Sequence, residues 1–215
     1  RIPPYNIKPL KPYKPDNSVL KMVKEKIIYD KDNILVIDKP EGLASHGGSG
    51  LKLGLIEAVR QIDKRFQNAQ LVHRLDKDTT GCLVVAKSQE ALVNLQIQIQ
   101  KRIASRKYVA LVHGIPKGEK GVVIGAIGRH PADRKKYAVV SNEKGRHACT
   151  HWALQERLND YSLVSFKLDT GRTHQIRVHS AHMGHPVVGD PTYSRCRKLP
   201  IILSGQTLHA MSLGL

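Results

Sequence analysis

The sequence predicts an α+β fold, a mixed and largely antiparallel sheet with flanking helices and a central cleft. Strand and helix patterns follow one another irregularly, whereas a parallel α/β sheet requires a regular alternation of the two. Tight-turn pairs such as Asn159-Asp160 join successive strand patterns directly, as in antiparallel pairs. The chain has 215 residues, 40% of them hydrophobic, which is enough for a sizeable core.

The N-terminal segment differs in composition from the rest of the chain. Five prolines and four cationic residues crowd into residues 1–15, a mixture that favours extended backbone with little packing. Residues 1–25 are therefore expected to form a basic, proline-rich arm or linker, and a disordered tail and a contacting arm are equally compatible with this composition. The folded domain is expected over residues 26–215, where apolar periodicity begins.

Apolar periodicity next predicts a series of strands and one helix. A hairpin is expected first, with strands at 27–29 and 34–38 around a polar turn. Residues 52–66 repeat apolar side chains at helical spacing, which predicts a helix. Further strands are predicted at 71–74, 82–86, 108–112, 122–124, 137–140, 148–158 and 162–168.

Two more helices are predicted from their caps and stop signals. Ser88 can cap a helix that begins just after it, and this cap and the helix length outweigh the strand-like alternation of residues 95–100. The last helix is expected to begin at Thr173 as N-cap and to end before Gly184 and Pro186.

Charge is the strongest feature of the composition. Thirty-five Lys and Arg residues against 18 Asp and Glu give a net charge of +17 and a sequence pI near 9.9. Such an excess predicts a polyanionic partner, with nucleic acid ahead of an anionic membrane surface or an acidic protein. The three cysteines lack CxxC spacing, which indicates a reducing compartment rather than a disulfide framework or a thiolate zinc site. No apolar run approaches the ~18 residues that span a bilayer.

One acid and one distant arginine form the main clue to function. Asp76 follows a short apolar strand, where a scaffold can hold a carboxylate at the mouth of a cleft, although an isolated Asp there is more often a turn former. On the helix from Thr173, residues His174, Arg177 and Ala181 share one face because of the 3.6-residue turn. An arginine that faces a cleft requires an acid, and a paired carboxylate stays ionised, as a nucleophile or base must. The sequence therefore predicts a contact between Asp76 and Arg177.

Other kinds of chemistry receive less support. The four histidines within residues 174–185 suggest a metal cluster, but residues 174 and 179 do not share a helix face and no His-Glu-x-x-His motif is present. The glycine-rich stretch 46–50 matches neither a dinucleotide fingerprint nor a phosphate-binding loop, so no nucleotide cofactor is implied. The string His-Arg-Leu-Asp at 73–76 has the wrong order for a kinase catalytic loop.

Two further segments allow two interpretations each. Tyr108 follows two cations at the start of a strand, where a tyrosine either packs in the core or stacks on an unpaired base, and the sequence supports both equally. The basic residues 129–136 form a loop that is either a solvated charge run or, as the net charge favours, a phosphate-contacting loop.

Several short motifs occur in a fixed order along residues 27–211. They are Lys-Pro-Glu-Gly at 39–42, His-Arg-Leu-Asp at 73–76, Thr-Gly at 80–81, Arg-Lys-Tyr at 106–108, Thr-Gly-Arg-Thr-His-Gln-Ile-Arg-Val-His at 170–179, Gly-His-Pro at 184–186, Gly-Asp at 189–190 and Leu-His-Ala at 208–210. Each motif alone is weak, but the set in this order is specific. It resembles the RluA family of RNA pseudouridine synthases, and within it the RluC and RluD types that act on large-subunit ribosomal RNA.

The resemblance implies the pseudouridine synthase fold and a cofactor-independent, metal-free isomerisation of uridine in RNA. The bond from C1′ to N1 breaks, the uracil turns, and C5 joins C1′. By motif position, Asp76 is the catalytic carboxylate, Arg177 is its partner, and Tyr108 stacks on the target base and is a candidate for removing the C5 proton. The implied substrate-binding residues are Arg74, which fills the gap left by the flipped nucleotide, Leu208, which walls the base, His73 and Lys107.

These roles agree with physical expectation. A carboxylate beside an anomeric carbon can stabilise or trap an oxocarbenium-like centre without a metal. A base inside paired or stacked RNA must first be extruded, which requires a stacking residue and a wedge. Whether Asp76 attacks the sugar, attacks the base or abstracts a sugar proton stays open at this stage.

The resemblance also implies a cellular setting. The expected partner is large-subunit (23S) ribosomal RNA, and the chain is expected to be a cytoplasmic monomer without membrane contact. An S4-like RNA-binding domain is expected ahead of residues 1–25, and residues 26–215 are the expected catalytic domain, truncated at its C-terminus. Residues 46–51 are similar to the RluC type and 129–136 to the RluD type, so the target uridines are not assigned. The alternatives are a non-catalytic RNA-binding or ribosome-assembly module and a zinc hydrolase that uses the histidines.

Overall fold

The computed structural model describes residues 16–47, 53–194 and 202–215, and the proline-rich segment 1–15 and most of the glycine-rich stretch lie outside these ranges. Within them the chain forms four helices, eleven strands and a 3₁₀ turn at Lys64–Phe66. The helices are α1 (Asn17–Glu25), α2 (Leu55–Ile62), α3 (Gln89–Gln100) and α4 (Gln175–His182). The strands are β1 (Ile27–Lys31), β2 (Ile34–Lys39), β3 (Gln70–Leu71), β4 (Thr80–Ala86), β5 (Ser105–His113), β6 (Lys120–Ile124), β7 (Ala126–Arg129), β8 (Tyr137–Val140), β9 (Cys149–Leu158), β10 (Tyr161–Leu168) and β11 (Leu208–Gly214).

Nine of these strands form one sheet. Their order is β1-β2-β4-β11-β5-β10-β9-β6, with β3 paired to β4, while β7 and β8 make a separate hairpin. The β4–β11 pair is parallel, and the other described pairs are antiparallel. The predicted mixed, largely antiparallel sheet with flanking helices is therefore confirmed.

Helices pack against both faces of this sheet. Alternate residues of β4 point to opposite faces: Leu83 and Val85 join the main core with α1 and α2, while Val84 packs with α3. Tyr108 from β5 and Ile176 from α4 belong to the main core, so α4 lies on the same face as α1 and α2. Among the described residues, no helix is both long and apolar enough to cross a membrane.

Residues 17–25 form a helix rather than part of an arm. Asp16 caps α1 by accepting a hydrogen bond from the Ser18 amide at 3.2 Å, and Val23 is fully buried in the main core. The expectation of a linker over all of residues 1–25 is therefore wrong for 17–25. The high proline content favours extended backbone only in residues 1–15. After Asp16 the apolar residues recur at helical spacing, which favours the amphipathic helix α1.

Two strands, β7 and β11, were absent from the sequence prediction. β7 has only four residues, and β11 carries a weak alternation that was interpreted only as a motif. β11 nevertheless lies at the centre of the sheet, parallel to β4 and antiparallel to β5. Pairing on both sides stabilises it more than its own propensity does.

Gly81 allows β11 to approach β4 closely. Its φ is +101°, and a Cβ at this position would overlap the carbonyl oxygen of Ala210. We expect Gly81→Ala to lower the free energy of unfolding by about 3 kcal/mol, because it adds a steric clash to an unfavourable backbone conformation. Gly42→Ala is the matched control, since Gly42 also has a positive φ (+77°) but a Cβ there would have no other atom within 4 Å; it should cost about 1 kcal/mol. Urea unfolding measures both, and equal losses would contradict the close approach.

Candidate active site

Six of the seven predicted site residues line one pocket above β5 and β11. They are His73, Arg74, Asp76, Tyr108, Arg177 and Leu208. Asp76 lies in the loop between β3 and β4, Arg177 on α4, Tyr108 on β5 and Leu208 on β11. Four separate elements thus bring these side chains together at the centre of the sheet.

Lys107 is the exception among the predicted residues. Successive residues of a strand point to opposite faces, so Lys107 faces away from the pocket that Arg106 and Tyr108 line. Its side chain is exposed on the far face of β5. The structure therefore places Lys107 outside this pocket, and Arg106 of the same motif lines it instead.

The predicted contact between Asp76 and Arg177 is present. Arg177 Nη1 donates a hydrogen bond to Asp76 Oδ2 at 2.9 Å. On its other side, Arg177 donates through Nε and Nη2 to the two carboxylate oxygens of Asp190, at 2.7 and 2.9 Å. A bidentate pair of this kind fixes the plane of the guanidinium group. Asp190 therefore orients the arginine that meets Asp76.

The three charged groups Asp190, Arg177 and Asp76 differ in exposure. Asp190 and Arg177 are 1% and 5% exposed, whereas the Asp76 side chain retains 19% exposure at the pocket. Burial alone would lower the pKa of Arg177, but hydrogen bonding and the charge of Asp190, together with Asp76, raise it overall. Asp190 also accepts hydrogen bonds from the amides of Thr192 and Tyr193, so its carboxylate is well satisfied.

The start of α4 differs from the predicted one. His174, not Thr173, precedes the helix, and it adopts a left-handed conformation with φ of 56°. The Gln175 side chain then accepts hydrogen bonds from the Thr170 hydroxyl (2.8 Å) and the Arg172 amide (2.9 Å). The Gln175 side chain therefore accepts from two hydrogen-bond donors of the loop ahead of α4, so the helix start does not depend on a threonine cap.

His174 is a further polar wall of the pocket that the prediction did not assign as a site residue. Its Nε2 lies 3.9 Å from Asp76 Oδ2, and its Nδ1 is 2.9 Å from the Tyr193 hydroxyl. Burial lowers the pKa of His174, and the charge of Asp76 opposes that effect. Helical spacing from Thr173 predicts that His174 shares a face with Arg177; in the structure His174 precedes α4 with a left-handed backbone, and its ring lies beside the same acid.

Three polar side chains hold the loop that carries Asp76. Lys39 is fully buried, and its Nζ donates to the carbonyls of Pro40, Leu43 and Lys77, each at 2.7 Å. Burial lowers the pKa of Lys39 to about 8. Ser45 exchanges two hydrogen bonds with the backbone of residue 75, and Gln206 donates to Thr79 Oγ1 at 2.6 Å. The Asp76 carboxylate is thus presented by a loop that three buried or partly buried side chains hold in place.

Tyr108 presents its ring to the pocket and remains a neutral phenol. It is 7% exposed, and burial raises its pKa to about 12, with a contribution from the charge of Asp76. The hydroxyl therefore stays protonated at neutral pH. An aromatic face beside a carboxylate suits stacking on a planar base.

His73 lines the pocket but also bonds to the sheet. Its Nε2 accepts a hydrogen bond from the Val84 amide at 3.1 Å. Burial, with a smaller effect of the Arg106 charge, lowers its pKa from 6.5 to about 4. The imidazole is therefore neutral at physiological pH, and it supports the position of the loop.

This histidine predicts a pH dependence of stability. Because the folded pKa is depressed, the unfolded chain binds the extra proton between pH 6.5 and 4, so the stabilisation is complete above pH 6.5 and is lost as pH falls towards 4. Unfolding free energy should drop by about 2 kcal/mol between pH 7 and pH 5 from this group. His73→Gln, whose amide oxygen can still accept from Val84, should remove that part of the slope in urea unfolding. Replacement of an exposed histidine, His182→Gln, should leave the pH dependence of the unfolding free energy unchanged. If His73→Gln also left it unchanged, His73 would not be its source.

The histidines considered as metal ligands do not converge. His174 bonds to Tyr193, His179 to Thr150 and His185 to the carbonyl of His113. Within the described ranges, the group with metal-ligand side chains is Cys149, His151 and Asp169, whose ligand atoms lie within 4.8 Å of one another. Cys149 and His151 share a face of β9, and His151 Nε2 is 2.8 Å from Asp169 Oδ2. The sequence did not predict this group because it joins two strands.

A carboxylate that an arginine holds at the wall of a pocket, in a chain with a net charge of +17, suits chemistry on a polyanion such as a nucleic acid. A family profile described as RNA pseudouridylate synthase matches residues 33–182. The chain belongs to this family. The family resemblance carried by the ordered motifs is therefore confirmed.

Individual relatives agree with this membership. An uncharacterised RNA pseudouridine synthase of Synechocystis sp. is 46% identical over 197 residues, which cover 88% of this chain and 60% of the relative. Ribosomal large subunit pseudouridine synthase D of Nitrosomonas europaea is 46% identical over 202 residues, 88% of this chain and 57% of the relative. The chain thus spans less than two thirds of the length of these curated relatives.

Solved structures share the fold. The human RNA pseudouridylate synthase domain containing 4 protein superposes with a TM-score of 0.75 at 27% identity, over 92% of this chain and 86% of that chain. The human domain containing 1 protein superposes with a TM-score of 0.72 at 28% identity, over 87% of this chain and 77% of that chain. These neighbours support the pseudouridine synthase fold predicted from the sequence.

Proposed function

We propose that this chain isomerises uridine to pseudouridine in ribosomal RNA, with Asp76 as the catalytic carboxylate. The observation that carries the proposal is the Asp76 carboxylate, held at 2.9 Å by an arginine that Asp190 orients, in a pocket walled by Tyr108 and Leu208. Ribosomal RNA is proposed because relatives at 46% and 45% identity are named ribosomal large subunit pseudouridine synthase D. Large-subunit (23S) RNA is the proposed substrate, and the net charge of +17 suits a polyanion.

The reaction uses an extruded nucleotide. The target uridine leaves its stack and enters the pocket, where the Tyr108 ring stacks on uracil and Leu208 lines its other side. Asp76 then stabilises or traps the electron-deficient centre that forms as the C1′–N1 bond breaks. The uracil leaves with the electron pair of the C1′–N1 bond and turns, and C5 then bonds to C1′, displacing the Asp76 oxygen if it has bonded there. C5 loses its proton to water and N1 takes one up, so the product is an isomer of uridine. Because the Tyr108 phenol is protonated, we assign it to stacking rather than to removal of that proton as a phenolate.

The exposed Arg74 lies at the rim of the same pocket. A cationic, planar side chain at this place suits the gap that an extruded nucleotide leaves in the RNA. We propose this role for Arg74, and we propose that His73 supports the loop rather than contacting the base. An S4-like domain ahead of this chain and a cytoplasmic, monomeric state remain predictions.

Tritium release tests the proposed function directly. Ribosomal RNA labelled at uracil C5 is incubated with the chain, and pseudouridine formation releases the label to water. Time-dependent release that depends on the protein is expected. Salt-sensitive RNA binding without release on any ribosomal RNA would instead identify a non-catalytic binding module.

A further inference from the structure

Arg106 is a buried cation in the pocket, and no acid among the described residues forms an ion pair with it. It lies on β5 two residues before Tyr108, on the same face, and is 7% exposed. Its Nε has no hydrogen-bond partner among the described residues, and its Nη2 reaches the carbonyl of Leu168 only at 3.5 Å. A guanidinium group carries five donors, so most of the donor capacity of Arg106 is unused.

The acids of the pocket are engaged elsewhere. Within the described part of the chain, the ion pairs at the pocket join Asp76 and Asp190 to Arg177. Asp169 acts on Arg106 only through its charge, and burial lowers the pKa of Arg106. Burying an uncompensated charge costs several kcal/mol, so this position is unfavourable until an anion arrives.

The local structure keeps Arg106 in place despite this cost. A Cβ on Gly171 would lie 2.5 Å from Arg106 Nη1, so the guanidinium packs directly under a glycine of the loop ahead of α4. The same loop contributes Arg172 to the pocket wall. Arg74 is exposed, and Arg172 is partly exposed and donates through Nε to the carbonyl of His147 at 2.9 Å, whereas Arg106 is buried and has no ion pair among the described residues.

We propose that Arg106 binds a backbone phosphate of the nucleotide that enters the pocket. This inference rests on the proposed RNA substrate, because each nucleotide that enters carries a phosphodiester anion with it. A phosphate oxygen can accept charge-assisted hydrogen bonds from the unused guanidinium donors. A uracil carbonyl can accept hydrogen bonds as well, but it cannot balance the charge. Arg106 is thus a substrate-binding residue that helps to hold the extruded nucleotide beside Asp76.

A chemical double-mutant cycle tests this contact. Methylphosphonate linkages, which are neutral, replace in turn the phosphates that flank the target uridine in a ribosomal RNA hairpin on which tritium release is measured. For the wild-type chain, one of these replacements should lower kcat/KM by about 10- to 100-fold. Arg106→Gln should show a similar loss on unmodified RNA and no further loss on that methylphosphonate RNA.

Lys107→Gln is the matched control, because it removes the same charge from the neighbouring residue on the exposed face of β5. It should keep the wild-type sensitivity to the methylphosphonate. Arg106→Lys retains the positive charge and should show a smaller but measurable sensitivity to the methylphosphonate. It replaces Arg106→Gln in the cycle if circular dichroism and thermal melting show that Arg106→Gln does not fold.

Two results would overturn the proposal. In the first, the loss from Arg106→Gln and the loss from the methylphosphonate multiply in the double replacement, which would show that Arg106 does not contact that phosphate. In the second, no methylphosphonate lowers kcat/KM at any linkage. Filter binding of the same RNAs measures the cycle without catalysis. A wild-type chain that releases no tritium would therefore count against the proposed function, while the binding cycle would still decide the role of Arg106.

Discussion

An Asp76→Asn variant is expected to keep its fold and its affinity for RNA but to lose pseudouridine formation by more than about 1,000-fold. Asparagine has nearly the same shape, and its amide oxygen can still accept from Arg177, which Asp190 continues to hold through two hydrogen bonds. What disappears is the negative charge that stabilises or traps the C1′ centre. Tritium release measures the activity, and filter binding measures the affinity.

Asp78→Asn is the matched control for this variant. Asp78 lies two residues further along the same loop, and it is not among the pocket walls that the structure describes. Its replacement removes the same charge and should change the rate by less than about threefold. If Asp76→Asn retained substantial activity, or if both variants lost it equally, the catalytic role of Asp76 would be refuted.

Local signals predicted most of the elements around the site. Ser88 accepts a hydrogen bond from the Ala91 amide at 3.2 Å, and the helix that it caps runs to Gln100 as predicted. The Asn159-Asp160 pair joins β9 to β10, and Asn159 has the positive φ (50°) of a tight turn. Caps and turns depend on neighbouring residues in the chain, so the sequence carries their signals directly.

The sequence predicted the contact between Asp76 and Arg177 but not the side chains that support it. Asp76 and Arg177 were identified because an acid after a strand and an arginine on a helix face each leave a local pattern. Asp190 belongs to the Gly-Asp motif at 189–190, but the motif does not give its role, which depends on how its loop returns to α4. Lys39 is similar, because a lysine is rarely expected to be fully buried. Three-dimensional contacts alone reveal these two residues as supports of the site.

Strand parity explains why Lys107 lies outside the pocket. The Arg-Lys-Tyr motif puts three adjacent residues in one segment, and a motif by itself does not say which of them face the pocket. β5 pairs with β10 so that Tyr108 lies opposite Phe166, whose side chain is in the main core. Residues 106 and 108 therefore face the pocket and 107 faces away. Register, which distant pairing decides, separates Arg106 from Lys107.

An Asp190→Asn variant is expected to lower kcat by about 100-fold while KM for RNA stays within about threefold. Asparagine turns one acceptor oxygen into an NH₂ group that faces the donors of Arg177, so the guanidinium loses the orientation in which it meets Asp76. Because Asp190 is buried and is not among the residues that line the pocket, we expect its effect to appear in the rate of reaction rather than in RNA binding. Breaking a buried ion pair also costs about 3 kcal/mol of stability, so the assay is run well below the melting temperature.

Two comparisons separate a positioning role of Asp190 from a general loss of structure. Thr192→Val removes only the 3.3 Å hydrogen bond from Arg177 Nη2 to the threonine hydroxyl, and it should lower kcat by no more than about threefold. In an Arg177→Met background, Asp190→Asn should have little further effect on kcat, because the residue through which Asp190 acts is already gone. Independent losses in the double variant would mean that Asp190 does not act through Arg177, and a change confined to KM would place it in RNA binding instead.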